Sequence, residues 1–80
     1  MNEELAEYVA ICTFKSLSEL GRVLSILKEQ LSEEEYEPYR QSLARICALI
    51  SEEILIKIFS THPELELKIS YLIDKYGKLP

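Results

Sequence analysis

The chain has few of the residue types that carry enzyme chemistry. Its 80 residues include one histidine, two cysteines, two glycines and no tryptophan. The sequence therefore holds no glycine-rich phosphate loop and no nucleophile–base pair. The histidine, His62, precedes Pro63 at a predicted turn and lacks the glutamate three residues earlier that a di-iron helical protein requires. We expect no catalytic, metal-binding or cofactor-binding residues, and a non-enzymatic function.

The two cysteines are isolated from each other and from any base. Cys12 and Cys47 form no C-x-x-C motif, and each lies in an apolar stretch where a thiol acts as a small hydrophobic side chain. We therefore expect both thiols in the core. The N-terminus is acidic where a signal peptide would be basic, and no apolar run approaches ~18 residues. These features favour a reduced, cytoplasmic protein that does not enter a membrane.

The charge is acidic and is nowhere reversed by a basic segment. The formal net charge is −5 at pH 7. Phosphate backbones and anionic lipid surfaces attract clusters of lysine and arginine, which this chain does not have. We expect neither nucleic acid nor a membrane as its partner.

Apolar residues, in contrast, are abundant for so short a chain. They make up 48% of the sequence, whereas surface scaling lets a chain of this size bury only about 63% of its unfolded surface. An excess of apolar residues over available interior indicates self-association.

The apolar residues recur at helical spacing. Leucines alternate in steps of three and four from Leu17 to Leu31, which predicts one helix over about residues 2–31 that continues through Gly21. A break near Ser16–Ser18 is the alternative, because Ser16 and Glu19 could form a capping box.

Two further helices follow, over about residues 38–60 and 63–76. Proline is tolerated in a first helical turn, so Pro38 marks the start of the second helix. Thr61 is expected to cap the third helix, and Gly77 followed by Pro80 to end it. The second helix carries a predicted inward stripe, composed of Tyr39, Leu43, Ile46, Ile50, Ile54 and Ile58.

These elements predict an all-α fold in one domain over residues 1–80. Folding the first two helices back on each other matches apolar residues throughout and brings Phe14 near Ile56. The fold class is therefore a three-helix bundle built on an antiparallel helical hairpin. The third helix is too short to cover the first, so an apolar strip should remain for a second copy to cover, giving a homodimer.

Two stretches are apolar around nearly the whole helix, YVAICTF at residues 8–14 and ILIKIF at residues 54–59. A helix that is apolar on all sides must be buried on more sides than a three-helix bundle provides. We predict a self-interface formed by these stretches, with the residues Tyr8, Ile11, Phe14, Leu55, Ile56 and Phe59. The resulting function is a homo-oligomeric protein-interaction module.

An acidic edge supports a different hypothesis. Glutamates cluster where the second helix begins, at Glu33, Glu34, Glu35 and Glu37. Carboxylates commonly offset the positive end of a helix dipole, which explains the cluster without a ligand. The same edge would also suit a small acidic inhibitor or immunity-type protein that blocks a basic surface of another protein.

Overall fold

The computed structural model describes the backbone of residues 1–76 and the side chains up to Lys75. Within that range the chain is helical throughout and contains no strand, which confirms the all-α class. The helices are α1 (Glu3–Gln30), α2 (Glu33–Ile50), α3 (Ile56–Thr61) and α4 (Glu64–Tyr76), and a π-helical turn, Ser51–Leu55, joins α2 to α3. The predicted stop at Gly77 and Pro80 lies outside the described residues.

Helix α1 is unbroken over 28 residues. Asn2 caps it, because its side-chain oxygen accepts a hydrogen bond from the Leu5 backbone N–H at 2.8 Å. The Ser16 hydroxyl donates to the Cys12 carbonyl one turn earlier, at 3.0 Å, and so acts inside the helix. The alternative of a break at Ser16–Ser18 is therefore wrong.

Helix α2 begins five residues before its predicted start. Ser32 is the cap: its hydroxyl oxygen accepts from the Glu35 N–H at 3.2 Å and its O–H donates to Glu35 Oε1 at 3.1 Å. Pro38 lies in the second turn instead of the first. The helix begins after Ser32 because the serine side chain satisfies a backbone N–H at the helix start. This stabilisation outweighs the preference of Pro38 for the first turn.

The π turn rotates the apolar stripe of the second helix. Ile50 and Ile56, on either side of the turn, keep α-helical dihedral angles, so α2, the π turn and α3 form one continuous rod. A π turn holds one more residue than an α turn, and the inward position therefore passes from Ile54 to its neighbour. Leu55 is 5% exposed, against 37% for Ile54. The prediction that Ile54 belongs to the inward stripe is wrong for this reason.

Thr61 ends α3 and does not cap α4. Its hydroxyl lies 3.2 Å from the Ile58 carbonyl and 3.0 Å from His62 Nδ1. The carbonyl of His62 instead accepts the Leu65 N–H at 3.1 Å as α4 begins. A threonine inside a helix can bond the preceding turn, and here that bond replaces the predicted cap.

The core lies at one end of the molecule. It joins the first half of α1 to the π turn, α3 and α4, and its buried apolar residues are Ala6, Ala10, Leu55, Ile58, Leu65 and Ile69. Thr13 is also buried, and its hydroxyl donates to the Val9 carbonyl at 2.7 Å. Alanines on α1 let the other helices approach closely, because they present little more than a methyl group.

One ion pair joins the two ends of the sequence across this core. Lys68 Nζ on α4 lies 2.9 Å from the carboxylate of Glu7 on α1. The hydrogen bond from Lys68 to Glu7 raises the pKa of the lysine above its ordinary value. This pair marks the side of α1 on which α4 lies.

Candidate interaction surface

The second half of the α1–α2 hairpin lies beyond the core. At 1.5 Å per residue, α4 is about 20 Å long and α1 about 42 Å. None of the eighteen residues of α2 is buried, and on α1 no residue between Phe14 and Gln30 is buried. The two helices therefore pack against each other in this region without a third helix over them.

Contact between α1 and α2 covers their apolar residues only in part. The leucines at positions 17, 20, 24 and 27 of α1 and at its C-cap, position 31, are half-buried, as are Leu43, Cys47 and Ile50 of α2. They form a seam of the kind that two helices make with apolar residues at alternating steps of three and four. We refer to these eight residues as the seam.

A second set of apolar residues lies outside the seam and is exposed. These residues are Val23 at 45%, Ile26 at 57%, Ile46 at 48% and Leu49 at 57%. At 100° per residue, Val23 and Ile26 lie about 80° and 140° to one side of the seam, and Ile46 and Leu49 about 70° and 130°. Reversing one helix also reverses its sense of rotation, so all four residues lie on the same side of the antiparallel pair. We call these four residues the open face.

Helix α4 lies on the opposite side. Glu7, which pairs with Lys68 of α4, is rotated about 120° from the seam in the other direction. Phe14 is rotated the same way as Glu7, and its ring centroid is 6.4 Å from that of Phe59. Since the Glu7–Lys68 pair places α4 on that side of α1, the open face is the side that α4 leaves uncovered.

The six predicted interface residues do not form one surface. Leu55 is buried in the core, and Phe14 and Phe59 pack against that core. Ile11 is half-buried, Tyr8 is exposed, and Ile56 is 56% exposed. Leu55 was expected on the uncovered strip, and its burial corrects that expectation, since the π turn rotates Leu55 inward. Phe14 lies against Phe59, another member of the predicted set, with ring centroids 6.4 Å apart.

The cysteines differ from each other in burial. Cys47 is half-buried in the seam, whereas Cys12 is exposed. Cys12 lies about 100° from the seam on the side of the open face, which explains why an apolar neighbourhood in the sequence did not bury it. The prediction of a core thiol is therefore wrong for Cys12.

The acidic edge is partly engaged in local structure. Arg40 Nε donates to both carboxylate oxygens of Glu37 at 3.0 Å, and this hydrogen bonding from Arg40 holds the pKa of Glu37 below its ordinary value. Glu35 accepts the Ser32 hydroxyl. Glu33 and Glu34 are exposed, and an open cleft beside them is lined by Lys28, Leu31, Glu33, Tyr36 and Glu37.

The described residues contain neither a metal-binding cluster nor a membrane-spanning helix. Over that part of the chain, histidine, cysteine and carboxylate side chains do not gather in a group of three that would hold a metal ion. No helix there has both the length and the hydropathy needed to cross a bilayer.

Comparison with known proteins adds no relative. No protein-family model, curated protein or solved structure matches the chain.

The sequence contained a sign of the open face that spacing alone did not reveal. Val23 and Ile26 lie between the leucines of the seam, and Leu49 lies beside Ile50. Apolar residues that interrupt a regular seam widen the apolar surface of a helix to one side.

Proposed function

We propose that this chain is a non-enzymatic helical protein-interaction module that acts as a homodimer. Its helical segments form a three-helix bundle at the core end, and a second copy completes a larger bundle along the hairpin. The observation that carries the proposal is the exposure of α2, which buries none of its eighteen residues although half of them are apolar.

The energetics of the hairpin support association. Two helices joined by a short turn leave much of their apolar surface in water, and a contiguous exposed patch of this kind marks an interaction site on most soluble proteins. Each fully buried aliphatic side chain contributes about 1.5–3 kcal/mol relative to an exposed one. Val23, Ile26, Ile46 and Leu49 are 45–57% exposed, so covering each of them would contribute about half of that increment.

The charge supports a protein as the partner in preference to nucleic acid or an anionic membrane. The net charge is −5, and no segment of the sequence is basic. A cytoplasmic location and a non-enzymatic role belong to the same proposal, which rests for both on the composition of the sequence.

The acidic inhibitor is the second candidate. Glu33 and Glu34 remain exposed at the start of α2, beside the cleft at the turn. Glu35 and Glu37, however, bind Ser32 and Arg40 within their own helix, which leaves half of the edge for a basic partner. The two functions differ in how salt affects them, because screening weakens docking by charge and does not weaken apolar contact.

Light scattering distinguishes the two functions. We expect the purified chain at micromolar concentration to show about twice the chain mass of 9.3 kDa. The mass should persist at high salt, and it should persist when Glu33, Glu34 and Glu35 are all replaced by glutamine. A stable species of 9.3 kDa at all concentrations would overturn the homodimer. A dimer that the triple variant abolishes would favour the acidic edge as the contact.

A further inference from the structure

We infer that the second copy of the chain binds on the open face, so that Val23, Ile26, Ile46 and Leu49 of the two copies meet across a two-fold axis. This inference rests on the proposed self-association and adds where the contact lies. It moves the interface from the two stretches that sequence periodicity favours, residues 8–14 and 54–59, to the side of the hairpin opposite α4.

The two sides of the hairpin differ in the side chains that they expose. On the open side the residues flanking the seam include a valine, two isoleucines and a leucine, interspersed with polar residues such as Glu19 and Gln30. On the other side helical geometry places Ser25 and Lys28 of α1, with Arg40 and Ala44 of α2, about 50–120° from the seam. Those residues are exposed as well, but they offer no large apolar side chain. One side alone therefore has the composition of an interface core.

The area of the two-helix layer matches that of a stable protein–protein interface. A layer of two helices about 42 Å long and about 20 Å wide presents on the order of 800 Å² to a partner. A stable interface of standard size takes about 800 Å² from each partner. The four residues of the open face cover only part of that layer. The contact must therefore continue along the same side to Leu5 and Tyr8 at one end and to Tyr39 at the other, all three of which are exposed.

Glutamates on the open side of the hairpin form ion pairs within their own helices. A chain of net charge −5 repels its own copy, so a self-interface needs its carboxylates engaged locally. On this side Glu19 forms an ion pair with Arg22 at 3.0 Å, and Glu53 forms one with Lys57 at 3.2 Å. Both of these glutamates have a cation within their own helix, which lowers the repulsion between two copies that approach on this side.

The composition, the area and the local ion pairs of the open side favour a second copy of the chain over a foreign protein as the partner. A flat two-helix layer with apolar residues on both helices is complementary to itself, and two such layers facing each other form a four-helix arrangement. Across a two-fold axis the same patch of each copy packs against its equivalent, so no separate partner surface is needed. The remaining net charge of each copy lies outside the contact, so raising salt should tighten the dimer.

The test uses variants matched in chemistry and position. Ile46→Glu places a charge on the open face, and Ala44→Glu places the same charge on α2 about 160° away. A buried carboxylate without a partner is strongly disfavoured. We expect Ile46→Glu to raise the dimer Kd at least about 100-fold and to give 9.3 kDa by light scattering. We expect Ala44→Glu to leave the mass unchanged.

Further variants keep the result interpretable. Leu49→Glu, which lies further from the seam than Ile46→Glu, repeats the test should the latter lose helix content by circular dichroism. Ile56→Glu should leave the dimer intact, because Ile56 lies away from the open face. A dimer that survives both open-face variants, or that only Ile56→Glu dissociates, would overturn this inference while leaving the homodimer in place. A monomeric parent chain would instead overturn the homodimer itself.

Discussion

Leu55 occupies the core position that an unbroken α-helix would give to Ile54. The π turn of Ser51–Leu55 adds one residue between Ile50 and the core, and so rotates everything after it by about one helical position. Through this rotation Leu55 joins Ile58, the alanines Ala6 and Ala10 of α1, and α4 in the core. Which residue fills this core position therefore depends on the π turn.

Substitutions at these two neighbours should differ in cost. Leu55→Ala removes a buried side chain and should lower the free energy of unfolding by about 2–5 kcal/mol. Ile54→Ala truncates a side chain that water already reaches, and it should cost about 1 kcal/mol or less. Urea unfolding monitored by circular dichroism measures both. Equal losses would mean that the α-helical register continues through residues 51–55.

Deletion of a residue tests the π turn itself. Removing Glu52, which is exposed, takes out the extra residue, so an ordinary α turn would then carry Leu55 to the same core position. We expect this variant to remain folded, with a Tm close to that of the parent. Deleting Arg45 from the middle of α2 is the control, because it rotates the preceding half of α2 by about 100° and should lower the Tm clearly. The reverse order of Tm values would show that the π turn is not the source of the rotation.

The cap of α2 should contribute measurably to stability. Ser32→Ala removes the acceptor for the Glu35 N–H and should cost about 0.5–2 kcal/mol in urea unfolding. The start of the helix should then fray toward Pro38, which backbone chemical shifts would detect at residues 33–37. Ser18→Ala, at an exposed position inside α1, is the control and should not destabilise, because alanine has the higher helix propensity. A helix start that is unchanged in Ser32→Ala would mean that the glutamates alone hold it.

The ion pair between α4 and α1 predicts a dependence on alkaline pH. The pKa of Lys68 is raised in the folded chain by its hydrogen bond to Glu7, from an ordinary value of 10.5. A raised lysine pKa stabilises the fold fully below the unfolded value, and this contribution is lost as the pH rises through the folded value. The Tm difference between the parent chain and Lys68→Met should therefore be constant at neutral pH and shrink above about pH 10.5. A difference that stays constant up to pH 12 would assign the effect of Lys68 to packing of its alkyl chain.

The sequence predicted three helical segments because apolar steps of three and four persist through nearly the whole chain. In the described residues these segments are α1, the continuous rod from α2 to α3, and α4. It could not place the π turn, because Ile54, Leu55 and Ile56 are all apolar and any of them could face inward. It misplaced the start of α2 because proline preference and serine capping compete within seven residues. Ser16 and Thr61 were misread for a related reason, since a hydroxyl can cap a helix or bond to the preceding turn.

The candidate interface was harder to predict than the helices. Periodicity identified the leucine seam, and comparison of helix lengths indicated that part of it would lack a third helix. The side of the hairpin on which apolar surface remains exposed depends on where α4 packs. That position is marked by a contact between distant parts of the chain, the ion pair of Glu7 with Lys68. No local pattern on α1 contains that information.

Intermolecular nuclear Overhauser effects would show directly whether the open faces of two copies meet. A dimer mixed from isotopically labelled and unlabelled chains reports only contacts between copies. We predict such effects at the methyl groups of Val23, Ile26, Ile46 and Leu49, and none at the methyl groups of Ile69 in the core. Intermolecular effects confined to Ile56 and its neighbours, or their complete absence at millimolar concentration, would contradict the account.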